Sequence, residues 1–295
     1  METAPPFLDV NSLLEASEPR PRIPFTQFLI GGFILAVVLS LFIDHSAQGG
    51  QGEQLLQTMI GFGLMGFVTW IMVMGYLSAR RLRAEQAAVG AVDELVQLRR
   101  WPEAGLMLQN MLSRPARSAV ARAQSLLYLA MVLARYHRFE DSVKVHDYIL
   151  EEIPLDDMTD HAVRLGRAMS LLREDNLLDA DRAIAELRRT SRGVESAGLA
   201  LVEIYRDVKT GHPAEALEMF EKRQEVIRRQ LGHRAADAWA LVARAYDLLG
   251  RHADAQSAFE NATILQPLGE LLRRYPELGP LTEKYKPAPA PTEVA

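Results

Sequence analysis

The chain of 295 residues contains no cysteine. This absence excludes disulfide bonds, thiolate metal ligands and a cysteine nucleophile. The sequence also lacks the HExxH, glycine-rich phosphate-loop and GxSxG patterns that accompany metal, nucleotide or acyl chemistry. A net charge of -5 provides no basic surface for nucleic acid. We therefore expect no enzyme, no metal site, no cofactor and no nucleic-acid partner.

Charge is absent from two long runs, residues 25–43 and 55–77. Each is long enough to cross a hydrocarbon core, which needs roughly 20 helical residues. Residues 44–54 join them as a short polar loop. The sequence thus predicts an antiparallel transmembrane hairpin. A cleaved signal peptide is the alternative for the first run, but no small-x-small cleavage site follows it.

Arginine flanks both runs on their outer sides, whereas the loop has no basic residue. The positive-inside rule then places both termini in the cytoplasm. Only five of the 33 basic residues are lysine, which is typical of a GC-rich bacterial genome. These features predict a multi-pass protein of the bacterial inner membrane. Neither run contains an ionisable residue, which favours an anchor over a transport path. The small residues in the two runs would allow the protein to form homo-oligomers through its membrane spans.

Both ends of the chain have the composition of disordered tails. Residues 1–24 are rich in proline and acidic residues, and residues 279–295 are rich in proline and alanine. A docking helix is the alternative for the first tail, because apolar residues cluster at Phe7, Leu8, Val10, Leu13 and Leu14.

A helical repeat pattern is clearest near the C-terminus, in WALVARAYDLLGRHADAQSAFENATILQP. One helical face is formed by residues spaced three or four apart, and a glycine and a proline end the two halves. An ungapped copy lies over residues 123–154. The residues that carry the pattern are Trp239, Val242, Ala243, Tyr246, Gly250, Ala255, Phe259, Ala262 and Pro267, with Leu129, Ala130, Ser142 and Pro154 in the copy.

This spacing resembles the tetratricopeptide repeat family, whose unit is about 34 residues. Weaker units at 85–116, 161–191 and 197–229 extend the resemblance over residues 84–278. The expected fold is therefore all-α, a transmembrane hairpin followed by a tetratricopeptide-like α-solenoid of about five helical hairpins. An irregular helical solenoid is the alternative for the middle. A short helix after Pro267 would cap the last repeat.

The resemblance implies a groove, lined by the first helix of each pair, that binds a peptide or protein partner. Arg135, Arg173, Lys209 and Arg244 lie near the ends of predicted first helices and form a candidate basic strip for an acidic partner. The alternative is that these cations only complement helix dipoles. Tyr205 is either a groove contact or a core residue.

These interpretations combine into a membrane-anchored tetratricopeptide adaptor that mediates protein–protein interactions at the cytoplasmic face. The alternative function is an accessory subunit of a transport, secretion or envelope-assembly complex, in which the spans themselves are functional.

Overall fold

The computed structural model describes residues 9–19, 32, 52–191 and 196–285, without the side chains of residues 52–62 and 64. All regular elements in these ranges are helices, so the all-helical prediction is confirmed for the described residues. The α-helices are α1 (Val10–Ala16), α2 (Gly52–Gln97), α3 (Trp101–Leu112), α4 (Ala119–Arg135), α5 (Phe139–Glu152), α6 (Asp157–Arg173), α7 (Leu177–Thr190), α8 (Ala197–Lys209), α9 (Pro213–Leu231), α10 (Ala235–Leu248), α11 (His252–Leu265), α12 (Leu268–Arg274) and α13 (Gly279–Lys284).

The transmembrane hairpin is a wrong prediction. Within the described ranges, no helix combines the length and the apolar character needed to cross a membrane. The prediction treated the charge-free run 55–77 as a separate helix. In the structure it belongs to α2, a helix of 46 residues that continues through Arg80, Arg81 and Arg83 without a break. The multi-pass membrane localisation falls with it. The first predicted span, apart from Gly32, lies outside the described residues.

The chain divides into two compact units, one formed by Phe7–Ser125 and the other containing Leu126–Ala295. In the first unit, α1 lies in the stretch interpreted as a disordered tail. Its Val10, Leu13 and Leu14 are buried. The guanidinium of Arg122 donates hydrogen bonds to Ser17 Oγ and to the Leu14 carbonyl, both at 3.2 Å. These bonds satisfy groups at the C-terminal end of α1, which the helix itself leaves unpaired.

In the second unit each helix packs on the next one along the chain, from α5 to α11. The first helices of successive pairs also touch, α6 with α8 and α8 with α10. Phe259 and the small residues Ala243, Ala255 and Ala262 are fully buried between helices. Trp239 is half-buried, and its ring meets Phe220 edge-on at 4.9 Å between centroids. Small residues thus let the helices approach closely while large rings fill the remaining space.

One turn conformation joins the two helices of every pair. Its central residue has a positive φ, and this residue is Arg99, His137, Asp175, Gly211 or Gly250. The turn recurs about every 38 residues, somewhat longer than the 34 of a tetratricopeptide unit.

A backbone hydrogen bond closes each of these turns. The amide after the left-handed residue donates to the carbonyl five residues earlier, which is the Schellman ending of an α-helix. The five bonds run from Arg100 to Leu95, Arg138 to Leu133, Asn176 to Leu171, His212 to Asp207 and Arg251 to Tyr246. The five turns are therefore structural equivalents although their sequences differ.

The left-handed turn generates a stability prediction. A side chain costs about 1 kcal/mol in this conformation relative to glycine. We expect His137→Gly to raise the free energy of unfolding by about that amount, and Gly250→Ala to lower it similarly. An added Cβ at Gly250 would meet no atom within 4 Å, so the loss would be conformational rather than steric. Urea unfolding measures both.

The matched control is Gly269→Ala. This glycine lies within α12 and likewise has open space around an added Cβ. Because alanine favours helix over glycine, Gly269→Ala should not destabilise the protein. Equal losses at Gly250 and Gly269 would contradict the conformational explanation.

A buried histidine in the same unit predicts a pH dependence. His146 lies in α5 against Gly166, and burial, with a smaller effect of the same sign from Arg167, lowers its pKa to about 4. As the pH falls below 6.5, the unfolded chain takes up a proton that folded His146 resists. The free energy of unfolding should therefore fall by about 3 kcal/mol between pH 6.5 and 4. Unfolding of wild type and His146→Leu across this range measures the effect. Identical slopes in the two proteins would refute it.

Candidate functional site

The C-terminal segment, defined as residues 268–285, contacts first helices from all four pairs of the second unit. It contains α12, a 3₁₀ turn at Pro276–Leu278 and α13. Leu271, Tyr275, Leu278 and Leu281 have no exposed surface. We call the side chains that receive it the first-helix surface. Its members are Arg135 of α4, Arg173 of α6, Tyr205 of α8, and Asp237 and Asp247 of α10.

An ion pair joins Arg135 to Glu270, which lies 135 positions later in the sequence. The guanidinium donates two hydrogen bonds to the carboxylate, at 2.8 and 3.2 Å. The arginine side chain is 10% exposed and the glutamate side chain 20%. Arg135 ends α4, and Glu270 lies in the first turn of α12, so each charge also complements its own helix dipole. Because the pair is bidentate and shielded from water, it holds the segment more firmly than an exposed ion pair would.

Two tyrosine rings meet at the centre of the surface. Tyr205 and Tyr275 contact edge to face, 5.1 Å between centroids, and the Arg173 guanidinium lies 5.5 Å from the Tyr275 centroid. Burial and the nearby Asp237 carboxylate raise the pKa of Tyr275 to about 12. The pKa of Tyr205 is also raised, first by burial and then by the negative charge of Glu277. Both rings therefore remain neutral at physiological pH.

Two carboxylates of α10 hold the rest of the segment. Asp237 is 1% exposed and accepts a hydrogen bond from Arg274 at 2.8 Å. Burial raises its pKa, and the charges of Arg274 and its neighbours only partly offset this. Asp247 accepts from Lys284 Nζ at 2.6 Å and from the Tyr285 hydroxyl at 2.9 Å. Burial works against ionisation of Asp247, but these partners hold its pKa below the usual value.

Several buried polar atoms at this centre have no hydrogen-bond partner within the described ranges. They are Arg173 Nε, Asp237 Oδ1, the Tyr275 hydroxyl and Glu277 Oε1. Each such group costs about 1–3 kcal/mol. Burial of Leu271, Leu278 and Leu281 contributes about 1.5–3 kcal/mol apiece, and the polar centre offsets part of this gain.

The four cations proposed for the groove have different surroundings. Arg135 and Arg173 contact the C-terminal segment. Lys209 instead donates to the Leu172 carbonyl and the Asp175 carboxylate, which ties α8 to the preceding pair. Arg244 bonds Asp247 at 3.3 Å, beside Lys284 and Tyr285. Tyr205, which the sequence left open between groove and core, is 1% exposed beneath the segment.

Sequence reasoning missed the acidic and aromatic partners of these cations. No sequence pattern singled out Asp237, Asp247, Glu270, Tyr275 or Glu277, and the only prediction for residues after Pro267 was a capping helix. The available signal was the alternation of acidic and aromatic residues after Pro267, in GELLRRYPELGPLTEKY, where the repeat pattern stops.

A Ser–His contact occurs elsewhere in the unit. His161 Nε2 lies 2.9 Å from Ser196 Oγ, but Ser196 is the N-cap of α8 and already accepts from Leu199 N. His161 Nδ1 faces Ser191 Oγ at 3.5 Å instead of a carboxylate. Among the described residues, this contact therefore has no carboxylate in the position of the orienting acid of a catalytic triad. In the ranges searched, no group of three His, Asp or Glu side chains is placed to hold a metal ion.

Comparisons with family models, curated proteins and solved structures gave no match to this chain.

Tyr275 supplies a test of this geometry. Tyr275→Phe removes a buried hydroxyl that makes no hydrogen bond of normal geometry, although Arg173 lies close enough to act on its pKa. We therefore expect the free energy of unfolding to stay within about 0.5 kcal/mol of wild type or to rise. Tyr275→Ala removes the ring and should cost about 3–5 kcal/mol. Urea unfolding of the two variants distinguishes these effects. A loss in Tyr275→Phe comparable to that in Tyr275→Ala would mean that the hydroxyl, and not the ring, holds the segment.

Proposed function

We propose that the chain is a helical-repeat adaptor that binds a segment of a partner protein on the first-helix surface. The observation that carries this proposal is that the surface already holds one protein segment, through an ion pair, a ring contact, the buried carboxylate of Asp237 and the half-buried carboxylate of Asp247. A surface that binds a helical segment of its own chain has the chemistry to bind one from another protein.

The repeat character supports the same conclusion. Five equivalent turns at nearly constant spacing are typical of stacked helical pairs. We assign the repeats to the tetratricopeptide type, with units lengthened by a few residues. Arrays of this type commonly present extended binding surfaces rather than enclosed catalytic pockets.

Ionisable groups near the surface support binding rather than catalysis. Arg135, Arg274 and Lys284 are each paired with a carboxylate, and the two tyrosines have raised pKa values. A general base or nucleophile needs a pKa near the working pH and access to a substrate. We therefore propose an interaction protein without catalytic activity.

In-cell photo-crosslinking of the full chain tests this function. A photoreactive residue replaces Arg244, which lies beside the segment, or Leu178, which is exposed on the second helix α7. We expect one dominant protein adduct from position 244 and none of it from position 178. The same adduct from both positions would contradict binding at the first-helix surface.

The captured partner is then purified and its affinity measured. Arg173→Gln should weaken binding at least about tenfold, equivalent to about 1.4 kcal/mol. Leu178→Gln, the matched exposed substitution, should leave the affinity unchanged. Because Arg173 also contacts the C-terminal segment, both affinities are measured in chains that carry Glu270→Gln, which breaks the segment's ion pair with Arg135. Equal affinity with and without Arg173→Gln in these chains would overturn the proposal.

A further inference from the structure

We propose that the C-terminal segment is an internal ligand, which a partner must displace and whose recognition chemistry the partner shares. This inference rests on the proposed function and names the class of partner. The partner would carry an acidic residue, an aromatic residue five positions later, and a second acidic residue two positions after that. In this chain the pattern is Glu270, Tyr275 and Glu277, within ELLRRYPE.

The segment does more than cover the last helical pair. A terminal cap needs to shield only α10 and α11, the helices that end the array. Here Glu270 reaches Arg135 at the end of α4, and Tyr275 reaches Arg173 of α6 and Tyr205 of α8. Contacts with three earlier pairs are unnecessary for capping, but they are the contacts that a bound peptide would make.

Three groups of the segment correspond to three features of the surface. Arg135 receives the first carboxylate, and its planar guanidinium favours bidentate carboxylates over other anions. Arg173 and Tyr205 receive the aromatic ring through a cation–π and an edge-to-face contact. The second carboxylate, Glu277, lies at Tyr205. Carboxylate, ring and carboxylate together select an acidic–aromatic peptide rather than a basic or purely apolar one.

The segment is suited to displacement because its central contacts are imperfect. Polar atoms on both sides, including Asp237 Oδ1 and the Tyr275 hydroxyl, are buried without hydrogen-bond partners within the described ranges. A partner that pairs the two surface atoms, Asp237 Oδ1 and Arg173 Nε, without burying an unpaired polar atom of its own would bind better than the internal segment. The segment joins α11 directly through Gln266 and Pro267, so its effective concentration is high, on the order of millimolar for a short tether. A partner would therefore bind only if its affinity and concentration together outweigh the binding of the tethered segment.

Charge reversal of the ion pair tests the inference in the full chain. Glu270→Arg places two arginines together and should release the segment. The double variant Arg135→Glu with Glu270→Arg restores an ion pair of opposite orientation and should hold the C-terminal segment in place again. Hydrogen exchange of residues 268–285, measured by mass spectrometry, reports release. We expect at least tenfold faster exchange in Glu270→Arg and near-wild-type exchange in the double variant.

A synthetic peptide then tests whether the released surface binds a ligand. The probe is a fluorescent peptide with the sequence of residues 268–285, and anisotropy reports binding. The Glu270→Arg chain should bind it at least tenfold more tightly than wild type does. A peptide that itself carries arginine in place of the glutamate should bind this chain at least tenfold more weakly, but should bind the Arg135→Glu chain.

Two controls separate this mechanism from general destabilisation. Glu186→Arg breaks an ion pair with Arg164, between α6 and α7, that does not involve the segment. It should alter neither exchange of residues 268–285 nor peptide binding. Circular dichroism verifies folding, and Glu270→Gln replaces Glu270→Arg if the latter unfolds.

Each outcome decides the inference. It is overturned if Glu270→Arg and Glu270→Gln both leave the segment protected, or if the segment is released and the peptide still binds no better than to wild type. A partner that needs Arg173 but is not competed by the peptide would support the proposed function and overturn the internal-ligand inference. Peptide binding without any cellular partner at position 244 would overturn the proposed function, and with it the partner class inferred here, because the segment would then be only a releasable cover.

Discussion

A pair of helices cannot bury both of its apolar sides by itself, and the second unit is organised around this constraint. Each pair stacks on the next, which covers the faces between pairs. Part of the remaining side of the first helices is covered by the C-terminal segment, whose Leu271, Leu278 and Leu281 have no exposed surface. The ion pair with Glu270 joins the segment to Arg135 of α4, the earliest of these first helices. Burial of apolar surface therefore stabilises the bound segment, and the ion pair fixes its position along the array.

The polar groups beneath the segment explain why this arrangement resembles recognition rather than simple core formation. A core built only for stability would place apolar side chains where Asp237 and Arg173 lie, because an unpaired buried polar atom is costly. Instead, charges and hydroxyls converge on the Tyr275 ring. Buried polar groups of this kind discriminate among ligands more than they add affinity. Specificity for an acidic–aromatic segment is the property that this composition favours.

Local patterns in the sequence predicted the positions of helices better than they predicted what surrounds each helix. The spacing around Trp239 and Phe259 located α10 and α11, because helical periodicity is encoded in neighbouring residues. The same kind of reasoning failed for residues 55–77. The charge-free run there is only part of α2, whose polar second half continues to Gln97. No helix in the described ranges is both long and apolar enough to cross a membrane, so the prediction, which rested on the run alone, was wrong.

The sequence by itself determined the ends of the helices with the clearest repeat pattern, α10 and α11, and the turn between them, since these depend on residues within a few positions of one another. Gly250 and Pro267 are examples, because their backbone preferences act locally. Only the tertiary structure decided what the cations bind. Arg135 complements the dipole of α4 whether or not it also binds a carboxylate. Its carboxylate partner is Glu270, and no local pattern in the sequence encodes a contact across that separation. The candidate site therefore arises where distant segments meet, although each of its residues is visible in the sequence.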